Sequence, residues 1–74
     1  MTLDQLKDGQ PAIIRRLHGE GALRRRLMDM GLVQGSTIER VKAAPMGDPV
    51  EYLIRGYHLS LRKSEAQLVE IETD

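Results

Sequence analysis

The apolar positions of this chain change period along its length. Leu3 and Leu6 lie three apart, and Thr2-Leu3-Asp4-Gln5 before Leu6 has a capping-box spacing in which Thr2 accepts from the N–H of residue 5 and Gln5 reaches back. That predicts a short helix over residues 2–7, closed by Gly9. Pro11 to Leu17 reads as a strand, with Ala12 and Ile14 on one face and Ile13 and Leu17 on the other. Apolar residues on both faces suit a strand covered on both sides. Residues 21–30 then follow a helical period. At roughly 100° per residue, Leu23, Leu27 and Met30 form one apolar stripe, expected to face the core. Arg25 falls opposite it, Arg24 and Arg26 flank it, and Met28 sits between Arg24 and Arg25.

Gly31 stops this helix, and Val33-Gln34-Gly35-Ser36 is a β-turn with Gly35 where positive φ is needed. The next strand, Thr37 to Ala44, is irregular: Ile38 and Val41 are three apart and share a face only if the strand bulges or bends. Pro45 and Pro49 bracket a loop. Val50, Tyr52 and Ile54 alternate with Glu51, Leu53 and Arg55 as a strand. Gly56-Tyr57 is read as a two-residue hairpin with glycine first, returning into Leu59 and Leu61. Ser64-Glu65-Ala66-Gln67 matches a second capping box, a single turn capped by Ser64. Leu68 to Glu72 closes the chain as a strand with Val69 and Ile71 on one face. Five short strands with three helical insertions (2–7, 21–30 and 64–67) predict a mainly β fold, a small, partly open five-stranded barrel of the SH3-like kind.

Composition narrows this picture. The 74 residues suit one domain, and a chain so short buries only about 60% of its unfolded surface. Tyr52 and Tyr57 are the only aromatics, so the core is expected to be aliphatic. Eleven basic residues balance eleven acidic ones, which argues against non-specific attraction to nucleic acid or anionic membrane. Without cysteine there is no disulfide framework and no thiolate metal site. The N-terminal residues lack the basic and apolar regions of a signal peptide, and no apolar run reaches the ~20 residues of a membrane span. A cytoplasmic protein is expected.

The order Arg26-Leu27, Gly31-Leu32, Gly35, followed by the Ala44-Pro45-Met46-Gly47-Asp48-Pro49 loop and then Gly56, Leu59, Leu61, Arg62 and Ala66, resembles the ferrous iron transport protein A (FeoA) family over nearly the whole chain. Gln34 stands where that family often has proline, which would only stiffen the turn. The resemblance implies an SH3-like barrel that binds or regulates the cytoplasmic, GTPase-bearing part of a ferrous iron permease. A similar domain also ends some iron-dependent repressors, so the fold by itself does not decide the function.

Candidate contacts follow from exposure. Arg24, Arg25 and Met28 form the outward helix face, a cationic patch around an adaptable methionine. The loop tip Met46-Gly47-Asp48 is the second candidate. Arg26, beside the stripe, is read as covering the core edge. Gly31 and Gly35 are read as backbone requirements, since neither sits in a phosphate-binding pattern. His18 and His58 are lone histidines without ligand spacing, so no metal and no cofactor is expected. No nucleophile and base can be paired, and no enzymatic activity is expected. The reading is an interaction module for a permease, without nucleic acid and without membrane insertion. The alternative is a small RNA-binding barrel, disfavoured by zero net charge and scarce aromatics.

Overall fold

The computed structural model describes residues 1–73. Five strands, β1 (Pro11–Leu17), β2 (Thr37–Ala43), β3 (Val50–Ile54), β4 (Tyr57–Leu61) and β5 (Val69–Glu72), form one antiparallel sheet in the order β4-β3-β2-β1-β5. β4 and β5 remain edges, so the barrel is open as expected from the spacing of the strands. Helix α1 (Gly21–Asp29) connects β1 to β2, and the single turn α2 (Lys63–Ala66) connects β4 to β5.

Two bulges set the phase of the sheet. On β2 the register with β3 shifts between Arg40 and Lys42, so the expected bulge is present; Val41 is its extra residue, half-buried and outside the core, and Ala43 packs against the core instead. On β1 the register with β5 shifts between Ile14 and Arg16, leaving Arg15 as the extra residue. The second bulge overturns the predicted two-faced strand. It returns Leu17 to the face of Ala12 and Ile14, and all three are buried. Only Ile13 is left on the other face, half-buried. One inserted residue changes the phase of every side chain beyond it.

Other local expectations are corrected too. The N-terminal helix is only a 3-10 turn, Leu3–Gln5, because Leu6 is already extended; Gly9 lies beyond it in a separate turn. The predicted capping box is kept: Gln5 Oε1 accepts from the Thr2 N–H at 2.7 Å. The hairpin turn is Arg55-Gly56, and Tyr57 is already in β4, paired with Ile54. Arg55 and Gly56 both have positive φ (50° and 84°), as a primed hairpin turn demands. The cap of α2 is Arg62, not Ser64. Glu65 Oε1 accepts from the Arg62 N–H at 2.9 Å, so the helix starts earlier than the Ser64 spacing suggested.

The core joins Leu3 and Leu6 to the inward faces of the strands and to Leu27, Leu32 and Ala66. It is not purely aliphatic: Tyr52 is its largest fully buried side chain. Its hydroxyl points to the Leu3 carbonyl at 3.5 Å, and burial pushes its pKa from 10.0 up to about 12. Arg40 fastens the N-terminal segment to the sheet, donating to the Leu6 carbonyl at 3.1 Å and to Asp8 at 2.8 Å.

Candidate functional site

The segment from α1 to β2 positions the site. α1 ends in a Schellman motif: the Leu32 N–H donates to the Leu27 carbonyl at 3.1 Å and the Gly31 N–H to that of Met28 at 2.9 Å. Gly31 holds the left-handed conformation, φ 103°. Leu27 and Leu32, the apolar pair that accompanies this motif, are both fully buried. A turn follows, closed by the Ser36 N–H on the Val33 carbonyl at 3.2 Å, with Gly35 at φ 90° as its positive-φ residue. Leu27, Gly31, Leu32 and Gly35 are thus the parts of one helix stop and turn.

The predicted apolar stripe of α1 is shorter than its period implied. Leu27 is fully buried and Met30 packs partly on the core, but Leu23 is 39% exposed. Leu23, one turn nearer the start of the helix than Leu27, lies outside the core cluster that Leu27 joins. Arg26 pairs with Glu65 and so ties α1 to α2.

The outward candidates divide between the two flanks of α1. Positions 24 and 28 share one side of a helix, and positions 26 and 30 lie nearly opposite. Arg24 and Met28 line a groove of about 330 Å³ together with Arg15, Arg16, Leu17, Leu32, Val33 and Gln34. Arg24 is not a free side chain there. Its Nε donates to the Leu17 carbonyl at 3.3 Å and its Nη1 lies 3.1 Å from Met28 Sδ. Arg25 lines neither flank, is exposed, and has no ion-pair partner among the described residues.

The other flank holds a wider groove of about 900 Å³, lined by Arg26, Met30, Asp48, Pro49, Ser60, Arg62 and Glu65. Within the second predicted patch, Met46 is 93% exposed and Gly47 is half-buried. Asp48 is engaged: its Oδ1 accepts from the Lys63 N–H at 3.0 Å, at the first residue of α2. This carboxylate caps a helix from a distant loop. The structure therefore does not merge the two predicted patches into one surface; Asp48 and Arg24 line grooves on opposite sides of α1.

Sequence reasoning missed Arg15 and Arg16. In a regular strand adjacent residues point to opposite faces, so one arginine would have been spent on each side. The bulge at Arg15 leaves both exposed, and both line the groove beside Arg24. The available signal was the doublet itself, in a strand whose apolar spacing breaks phase at that point.

The histidines each meet one carboxylate. His58 Nδ1 lies 2.7 Å from Glu51 Oε2, and His18 Nε2 lies 3.8 Å from Glu70 Oε1. Among the described residues no three His, Cys, Asp or Glu side chains gather as a metal site. Among the described residues no helix is long and apolar enough to cross a membrane.

Residues 1–73 match the FeoA domain. The chain belongs to the FeoA family. It is 44% identical over 72 residues to the Fe(2+) transport protein A/Fe(2+) transporter FeoB fusion protein of Porphyromonas gingivalis, covering 97% of this chain and 8% of that one. Among solved structures it resembles iron(II) transport protein A of Clostridium thermocellum, with a TM-score of 0.94 and 45% identity, over 99% of this chain and 45% of that one. FeoA of Stenotrophomonas maltophilia, solved in complex with zinc and described as a prokaryotic SH3 domain protein, matches with a TM-score of 0.85 and 30% identity, over 97% of this chain and 89% of that one. The chain thus spans a small part of the fusion protein and under half of the C. thermocellum chain. The FeoA assignment accords with the SH3-like sheet, and it gives the glycines and leucines of the resemblance a structural meaning as the stop of α1.

Proposed function

We propose that this chain is a non-enzymatic, cytoplasmic interaction module that supports ferrous iron uptake by binding the cytoplasmic, GTPase-bearing part of a ferrous iron permease. One observation carries the reading. In the P. gingivalis relative, a part named Fe(2+) transport protein A shares one polypeptide with the Fe(2+) transporter FeoB. Two parts held in one chain meet at high effective concentration, which supports association of the corresponding separate proteins. The contact surface is the exposed side of α1, with Arg25 and Met28 outermost and Arg24 at the groove edge. Met46 at its loop tip is the secondary contact. Asp48 serves the fold as a cap in this reading, and Gly47 shapes the turn.

The test is recovery of an iron permease from detergent-solubilised membranes on the immobilised chain. Recovery is expected with the natural sequence and is expected to fall for Arg25→Glu combined with Met28→Ala, which leaves the bond of Arg24 to Leu17 in place. If that variant is folded and supports iron uptake fully, the α1 surface is not the contact. If the natural sequence recovers no permease, the partner is another protein.

A further inference from the structure

We infer that the groove between α1 and β1 docks an acidic segment of a partner protein, one in which a carboxylate neighbours an apolar side chain. This deepens the docking reading and depends on it only for the partner's identity. Arg15, Arg16 and Arg24 line the groove together with the apolar Leu17, Met28 and Val33, and no carboxylate is among its lining residues.

The three guanidinium groups differ in how far they are neutralised. Arg15 is paired with Glu72. Arg24 is steadied by a carbonyl and a thioether, which orient it without cancelling its charge. Arg16 is exposed and has no ion-pair partner among the described residues. Glu70 lies opposite Arg16 across the β1–β5 ladder, but its carboxylate stands 3.8 Å from His18 instead. Two uncompensated positive charges therefore face one concave surface, in a chain whose formal net charge is zero. This local excess comes from placement, not composition.

Such a groove matches a carboxylate, because guanidinium binds it through paired, charge-assisted hydrogen bonds. A neighbouring apolar side chain would cover Met28, whose flexible thioether adapts to a partner's shape. The groove on the other flank of α1 lacks this polarity. There Asp48 and Glu65 face Arg26 and Arg62, and both carboxylates already accept bonds within the protein. An RNA strand fits the α1–β1 groove poorly. Single-strand binding relies on aromatic stacking, and no aromatic residue lines the groove. Tyr52 is buried, and the Tyr57 hydroxyl is committed to the Met30 carbonyl.

The test is an amide NMR titration of the isotope-labelled chain with three probes: a hexapeptide alternating aspartate and leucine, its twin with asparagine for aspartate, and a hexauridylate. The acidic peptide is expected to give saturable shifts centred on Arg16, Arg24, Met28, Val33 and Gln34. Its affinity should fall about tenfold in Arg16→Glu, less in Arg16→Gln, because a charge is reversed in one and removed in the other. It should also weaken at about 0.5 M salt, where the charges are screened. An equal response to the asparagine twin, shifts centred elsewhere, no saturable response to the acidic peptide, or tighter binding of the hexauridylate overturns the proposal. Membrane recovery separates the two readings. If Arg16→Glu recovers as much permease as the natural sequence, the groove is not the docking site although the permease reading stands. If no permease is recovered yet the peptide maps to the groove, the groove stands and the permease reading fails.

Discussion

The Tyr57 hydroxyl donates to the carbonyl of Met30, so the first residue of β4 holds the C-terminal end of α1. That carbonyl belongs to the last turn of the helix, where intrahelical donors run out. Gly31 lies directly beneath the contact: a Cβ placed there would stand 3.0 Å from the Tyr57 hydroxyl oxygen. The glycine therefore answers two demands, a left-handed backbone and a close approach.

These two demands separate in a double-mutant cycle. Gly31→Ala is expected to cost about 2 kcal/mol, combining left-handed strain with the clash. Tyr57→Phe is expected to cost about 1 kcal/mol through the lost hydrogen bond. In the Tyr57→Phe background, Gly31→Ala should cost less than alone, because only the backbone strain remains. Urea unfolding of the four proteins measures this. Strict additivity would mean that the hydroxyl does not restrict position 31.

The 44–49 loop offers a contrast between neighbouring residues. Asp48→Ala removes the acceptor for the Lys63 N–H and is expected to cost about 1 kcal/mol, the usual worth of a helix cap. Met46→Ala removes a side chain that is 93% exposed and is expected to leave stability within about 0.5 kcal/mol. Thermal melts of both variants check this. An unchanged melting temperature for Asp48→Ala would remove its capping role and return it to the candidate contacts.

The sequence displayed the strand count, the open SH3-like architecture and the glycine stop of α1, because each leaves a local mark. Alternation at Val50, Tyr52 and Ile54 and the glycines at 31 and 35 are such marks. What escaped depends on contacts distant in the chain. Helical spacing grouped Leu23 with Leu27, but only the barrel wall decides how far along the helix the core extends, and Leu23 lies outside it. Asp48 read as a loop-tip carboxylate because its partner is a backbone N–H fifteen residues later. The groove on the β1 side was half legible. Arg24 and Met28 stood four apart on one helix face, whereas Arg15 and Arg16 joined them only through a bulge set by pairing with β5.

The uneven burial of α1 predicts an uneven response to truncation. Leu27→Ala should cost about 3 kcal/mol, since a fully buried leucine loses its packing and leaves a cavity. In a domain this small that is a large share of the total stability. Leu23→Ala, at a position 39% exposed, should cost less than about 1 kcal/mol. Chemical denaturation of the pair checks the ranking. Equal losses would mean that the helix packs along its whole apolar stripe.

Tyr52 predicts how stability responds to alkali. Burial raises its pKa to about 12; Arg40 opposes the rise, and Asp4 and Asp48 add to it. The unfolded chain ionises near the ordinary value of 10.0. Below that value both states keep the proton, and the buried phenol contributes its full stabilisation. As pH rises from 10 towards 12, the unfolded state loses its proton while the folded state keeps it, so ionisation favours unfolding and stability falls. Above the folded value both states are ionised and this loss levels off. Its full extent is on the order of 3 kcal/mol. Tyr52→Phe removes the titrating group along with the weak contact to the Leu3 carbonyl, which adds only a pH-independent offset. Urea unfolding at a series of pH values should therefore give a shallower decline for the phenylalanine variant between pH 10 and 12. Parallel curves for the two proteins would mean that the phenol titrates alike in both states, against its burial in the core.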